Sequence, residues 1–105
     1  MEDKYKKTIW YYGVQHQVRK FSEESFELIE AITKYEEAKL NHFENYDAED
    51  KKMAFKNIVE EVGDVLNLVE QFIAYYNIDM DDVLEVKEKK MDRQLERIKW
   101  EDEGV

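Results

Sequence analysis

No proline occurs anywhere in this 105-residue chain, and glycine occurs only at Gly13, Gly63 and Gly104. These two residues break helices and build tight turns. A chain nearly free of them is poor material for a many-turned β-sandwich and good material for long helices. Three segments carry the matching periodicity. From about Val14 to Asn41, the residues Val14, Val18, Phe21, Ser25, Leu28, Ile32 and Tyr35 recur at three- and four-residue steps. From about Ala48 to Tyr76 the stripe is Phe55, Ile58, Val62, Val65, Val69, Ile73 and Tyr76. From about Met80 to Trp100 it is Val83, Val86, Met91, Leu95 and Ile98. Such steps predict one buried face per helix. Asp47 and Asp79 are placed to cap the second and third helices.

Residues 42–47 and 77–79 are the breaks, and connections this short make neighbouring helices antiparallel. Residues 1–12 are either a short helix or an extended arm. The expected fold is all-α: an antiparallel bundle of three long helices plus a short N-terminal segment, one domain over 1–105. Tyr11, Tyr12, Phe26, Phe43, Phe72 and Tyr75 are more apolar surface than the stripes need. A small helical unit with surplus aromatics completes its core against a second copy, so a homodimer or homotetramer is expected.

Charge narrows the function classes. Charged residues make up 40% of the chain, but 43% apolar and 13% aromatic content argue against disorder. The net charge is −10, which disfavours diffuse binding to nucleic acid or an anionic membrane. The longest apolar run, Phe72 to Tyr76, is far too short to span a bilayer. The first residues, MEDKYKKTIW, lack the apolar stretch of a secretory signal. A cytoplasmic protein is the expectation. With no cysteine, thiol nucleophiles, disulfides and zinc–thiolate sites are excluded.

Two acidic clusters remain. Glu24 and Glu27 lie three residues apart on the first long helix, and Glu61 and Asp64 on the second, so each pair shares a helix face. Helical geometry places both pairs at the shoulders of their apolar stripes, where an antiparallel hairpin brings the shoulders together. Four carboxylates converging on one partly buried point repel one another unless a cation compensates. An all-oxygen set without His or Cys suits Mg²⁺ or Mn²⁺. The competing reading is solvated glutamates on acidic helices, as at Glu27/Glu30 and Glu85/Glu88. Gly63, costly inside a helix, suggests a close backbone approach. A di-iron bundle would need Glu-x-x-His pairs, and His16 and His42 are preceded three residues earlier by Gly13 and Lys39.

The segments FSEESFELIEAI (21–32) and NIVEEVGDVLNLVEQ (57–71) resemble the two signatures of the MazG-like nucleotide pyrophosphohydrolases, the all-α NTP pyrophosphatase superfamily. Glu24-x-x-Glu27 and Glu61-x-x-Asp64 match the family's paired motifs, and KKMDRQLERI (89–98) is similar to its basic third helix. Residues 28–60 between the motifs exceed the usual gap. The resemblance implies Mg²⁺-dependent hydrolysis of a (deoxy)nucleoside triphosphate between the α and β phosphates, giving the monophosphate and pyrophosphate. It implies metal ligation by Glu24, Glu27, Glu61 and Asp64, and phosphate contacts from Lys90 and Arg93. Pool sanitation, removing a non-canonical or surplus triphosphate, is the expected role. Glu23, Glu27 and Glu60 are all candidates to take the proton of the attacking water, and residue types do not choose among them. Lys20 is a further phosphate candidate. Asn67 could bond a base or ribose, and Trp10 or Tyr12 could stack on a base or serve the core. The alternative is a non-catalytic helical oligomer that keeps the fold as an interaction module.

Overall fold

A computed structural model of the chain describes residues 3–40 and 48–103. All regular structure among them is helical: α1 (Lys4–Tyr12), α2 (Val14–Leu40), α3 (Ala48–Tyr75) and α4 (Met80–Asp102). The expected helix bounds agree within about two residues. Asp47, His42, Phe43 and the break at 42–47 lie outside the described residues.

The N-terminal segment is a helix. Asp3 caps α1, its carboxylate accepting from the backbone N–H groups of Tyr5 (3.0 Å) and Lys6 (3.1 Å). Gly13 ends it at φ +91°, a conformation that disfavours any side chain. The Gly13 N–H closes the last turn on Ile9 O at 2.8 Å, and its carbonyl accepts from Gln17 N at 3.1 Å to open α2. One glycine thus hinges two helices. α1 packs on both α2 and α3, burying Ile9 completely, and the Trp10 ring lies 5.3 Å from that of Tyr75.

α2 and α3 form the main seam. Their cross-helix pairs set the start of α2 against the end of α3 and the end of α2 against the start of α3: Gln17 with Gln71 and Phe21 with Phe72 at one end, Tyr35 with Phe55 toward the other. The hairpin is therefore antiparallel, as the short connection requires. The seam differs from the expected stripes. On α2 it is formed by Gln17, Phe21, Glu24, Leu28, Ala31 and Tyr35, while Val18 and Ile32 are exposed. On α3 it is Ile58, Glu61, Val65, Leu68 and Phe72, while Val62 and Tyr76 are exposed and Phe55, also largely exposed, meets Tyr35 at the seam's edge. Each expected stripe lies about half a residue too far round its helix: Phe21, Leu28, Tyr35, Ile58 and Val65 belong to both, and Val14, Ser25, Val69 and Ile73 are half-buried as expected.

The displaced apolar residues make a face of their own. Val18, Phe26, Ile29 and Ile32 on α2, and Phe55, Val59, Val62 and Leu66 on α3, are all exposed, Phe26 by 60%. At about 100° per residue these positions lie roughly a quarter turn from the seam, on one side of the hairpin, except Phe26, which is on the far side of α2. Lys20, Glu27, Glu60 and Asp64 fall on the other side.

The chain divides into two compact units at Tyr75/Tyr76. The second contains α4. Asn77, in the left-handed region at φ 52°, precedes it, and Asp79 caps it by accepting from Asp81 N at 2.8 Å, as expected. Asp81 and Asp82 occupy its first turn, where negative charge suits the helix dipole. No residue of α4 is buried; Val86, Met91, Leu95, Ile98 and Trp100 are exposed. No helix among the described residues is long and apolar enough to cross a membrane.

Candidate metal centre

Three of the four expected ligands meet in the seam. Glu24, Glu61 and Asp64 each bring a carboxylate oxygen into one group whose atoms all lie within 4.8 Å of one another. Glu24 is 8% exposed, Glu61 is half-buried and Asp64 exposed. Glu24 was expected on the shoulder of its stripe. It is instead in the stripe, where its helix faces α3, one turn from Phe21 and Leu28. Glu27, a turn further along α2, is exposed and outside this trio, but its charge still acts on Glu61.

The electrostatics are those of a crowded acidic pocket. Glu61 is pushed above the ordinary carboxylate range, first by desolvation, then by the charges of Glu27, Glu24 and Asp64. Asp64 is pushed up as well, by desolvation and then by Glu24, with Glu60 adding to the shift and Lys20 opposing it. Lys20 supplies the local compensation. Its ammonium is 3.2 Å from Glu24 Oε1 and 3.9 Å from Glu23 Oε2. The Glu24 hydrogen bond and charge raise the Lys20 pKa.

One lysine does not satisfy the cluster. Glu24 Oε2 and Glu61 Oε2 are both buried without a hydrogen-bond partner. A buried polar atom left this way costs about 1–3 kcal/mol. Two such oxygens, from facing helices, fit a hard cation. Magnesium–oxygen distances of about 2.0–2.1 Å put ligand atoms at most roughly 4.2 Å apart, so small side-chain movements close the group around an ion.

The other expected site residues are placed as follows. Glu23 is exposed beside Lys20, and Glu60 is exposed on α3 within reach of the Asp64 charge. Asn67 is exposed one turn beyond Asp64. Trp10 is engaged with the Tyr75 ring. Lys90 and Arg93 are exposed on α4, in the second compact unit. Gly63 makes no close approach: a Cβ there would meet nothing within 4 Å. Sequence reasoning missed Gln17 and Gln71, a buried amide pair bonded at 2.8 Å across the seam. Their signal was spacing, since Gln17 precedes Phe21 by one turn and Gln71 follows Leu68 by three residues.

Across residues 13–98 the chain matches the family described as the MazG nucleotide pyrophosphohydrolase domain. The match covers most of the chain and contains α2, α3, nearly all of α4 and every carboxylate of the cluster. The chain belongs to the MazG nucleotide pyrophosphohydrolase family. No curated protein and no solved structure matched it.

Proposed function

We propose that the chain is a Mg²⁺-dependent nucleoside triphosphate pyrophosphohydrolase that cleaves between the α and β phosphates to yield a monophosphate and pyrophosphate. The observation that carries this reading is the pair of buried, unpartnered oxygens on Glu24 and Glu61 within the three-carboxylate group. Glu24, Glu61 and Asp64 would hold the cation, with Glu27 completing the set. Mn²⁺ suits the same oxygens. The chemistry a divalent cation supplies at such a site is neutralisation of the triphosphate charge and activation of water. Glu23, Glu27 or Glu60 accepts the proton of a water attacking the α-phosphorus in line, and pyrophosphate leaves. Lys20, Lys90 and Arg93 contact phosphate oxygens, Arg through its fork and Lys as a point charge. Asn67 and Trp10 remain candidates for the ribose or base.

The family match spans both compact units, which supports reading 1–105 as one functional domain. The exposed apolar face of α2 and α3 supports a homodimer or homotetramer. The family's nucleotide chemistry supports a cytoplasmic role in nucleotide pool sanitation, and the net charge of −10 supports a role without nucleic-acid or membrane partners. The test is a panel of canonical and modified nucleoside triphosphates with Mg²⁺, scored for pyrophosphate against orthophosphate. Pyrophosphate with the matching monophosphate is expected. Orthophosphate alone would move the scissile bond, and no release from any triphosphate would favour the non-catalytic interaction module.

A further inference from the structure

Gln17 and Gln71, 5% and 7% exposed, are buried polar side chains that the carboxylate cluster does not use. A buried amide pair is not what stability alone selects, since two apolar side chains of similar shape serve a seam at least as well. Gln17 uses both ends of its amide. Its Nε2 donates to Gln71 Oε1 at 2.8 Å, and its Oε1 is 2.8 Å from His16 Nδ1. An amide oxygen only accepts, so His16 carries its proton on Nδ1. In the neutral form of the imidazole this arrangement leaves Nε2 as a bare acceptor.

His16 stacks on Tyr12, with ring centroids 5.1 Å apart and planes at 16°. Tyr12, His16 and Gln17 line a cleft of about 530 Å³ together with Arg19, Lys20 and Glu23. This volume is in the range of small-molecule sites. Lys20 also bonds Glu24, so the cleft opens directly beside the carboxylates. Trp10 and Asn67 do not line it.

We propose that this cleft is the subsite for the nucleotide's heterocycle, that His16 Nε2 accepts a hydrogen bond from a base N–H, and that Gln17 and Gln71 are positioning residues fixing the His16 tautomer. The proposal rests on the nucleotide reading of the carboxylate cluster. A base hydrogen-bonded in the imidazole plane lies nearly parallel to Tyr12, the orientation that offset stacking needs. Its sugar and α-phosphate are then directed past Arg19 and Lys20 toward Glu24. Every common base offers an N–H edge, so the acceptor selects for an orientation of the base and disfavours analogues whose N–H edge is alkylated.

The experiment is ¹⁵N spectroscopy of the histidine rings and aromatic ¹H–¹³C spectroscopy of the full chain, with His16 assigned in a His42→Gln background, during titration with free nucleosides. Free nucleosides need neither metal nor carboxylates, so the result stands apart from hydrolysis. The Nδ1–H tautomer is expected in the unliganded protein, and at least one nucleoside moves both the His16 and Tyr12 ring signals. Gln71→Met mixes the tautomers and weakens that nucleoside by about three- to tenfold. Gln71→Glu still accepts from Gln17 Nε2 and retains the tautomer. An Nε2–H tautomer in the wild type, or no nucleoside moving either ring, overturns the proposal even if Gln71→Met fails to fold. Pyrophosphate release without a nucleoside response removes the subsite and leaves the hydrolase. A nucleoside response without release does the reverse.

Discussion

The Lys20 ammonium sits 3.2 Å from Glu24 Oε1, one turn away on α2, while Glu24 Oε2 has no partner. A cationic side chain thus already faces the buried carboxylate that would ligate a metal. The two cations compete for Glu24. In Lys20→Met, Mg²⁺ affinity is expected to rise a few-fold, because the pair is partly solvent-screened and its contribution is small. Catalytic efficiency falls about tenfold, because the released ammonium is the one that would meet phosphate. Calorimetric titration with Mg²⁺ alone reads the first effect and steady-state kinetics the second. Weaker Mg²⁺ binding in the variant would show that Lys20 organises the site instead of competing for it.

Glu61→Gln removes one ligand charge and nearly preserves volume. Turnover should vanish while the helical circular dichroism is retained. Mg²⁺ should also lose its stabilising effect, since a ligand raises the melting temperature only by binding the folded state. Thermal melts with and without Mg²⁺, beside a turnover assay at saturating Mg²⁺, give both readings. Full activity in this variant would remove Glu61 from the centre.

The raised pKa values of Glu61 and Asp64 fix the sign of a pH effect. A carboxyl that holds its proton more tightly when folded stabilises the fold below the ordinary value of about 4 and loses that contribution as pH rises through the raised value. This part of the metal-free stability therefore declines as pH rises above about 4. Mg²⁺ restores it at neutral pH by taking the proton's place. Glu61→Gln should flatten the curve. Parallel pH profiles of melting temperature for the wild type and variant would show that the cluster does not carry the effect.

The apolar side of the hairpin is the surface through which the proposed oligomer would form. Ile29 and Leu66, 61% and 56% exposed, lie on that side, away from the carboxylates. The wild type should scatter light as a dimer or tetramer at micromolar concentration. The double variant Ile29→Glu/Leu66→Glu should run as a monomer of lower melting temperature. A monomeric wild type would contradict the interface outright.

The helices were legible because their ends carry local chemistry: Asp79 capping α4 and the periodicity of α2 and α3 do not depend on partners. The facing of each helix was less legible. Hydrophobic periodicity sums every apolar residue, and α2 and α3 each carry two apolar faces. The inferred stripe averaged them and drew Val18 and Ile32 inward, where Gln17 and Glu24 lie. The acidic motifs were visible as spacing, but the burial of Glu24 was not, since a glutamate inside a seam looks the same in sequence as one in water. Gly63 misled for a related reason: a helix-breaking residue carries a cost whether or not anything approaches it, and nothing does.

The seam between α2 and α3 gives four of its positions to Gln17, Glu24, Glu61 and Gln71, where leucine or methionine would pack without repulsion or unmet oxygens. Thermostability and the proposed activity are thus set against each other along a single line of contact. A random library screened only for survival of heating would enrich apolar replacements at these four positions first, erasing the carboxylate centre while leaving the helices more robust. Selection that alternates heat with a demand for turnover would instead direct stabilising changes to the outer face and to the solvent-exposed helix position held by Gly63.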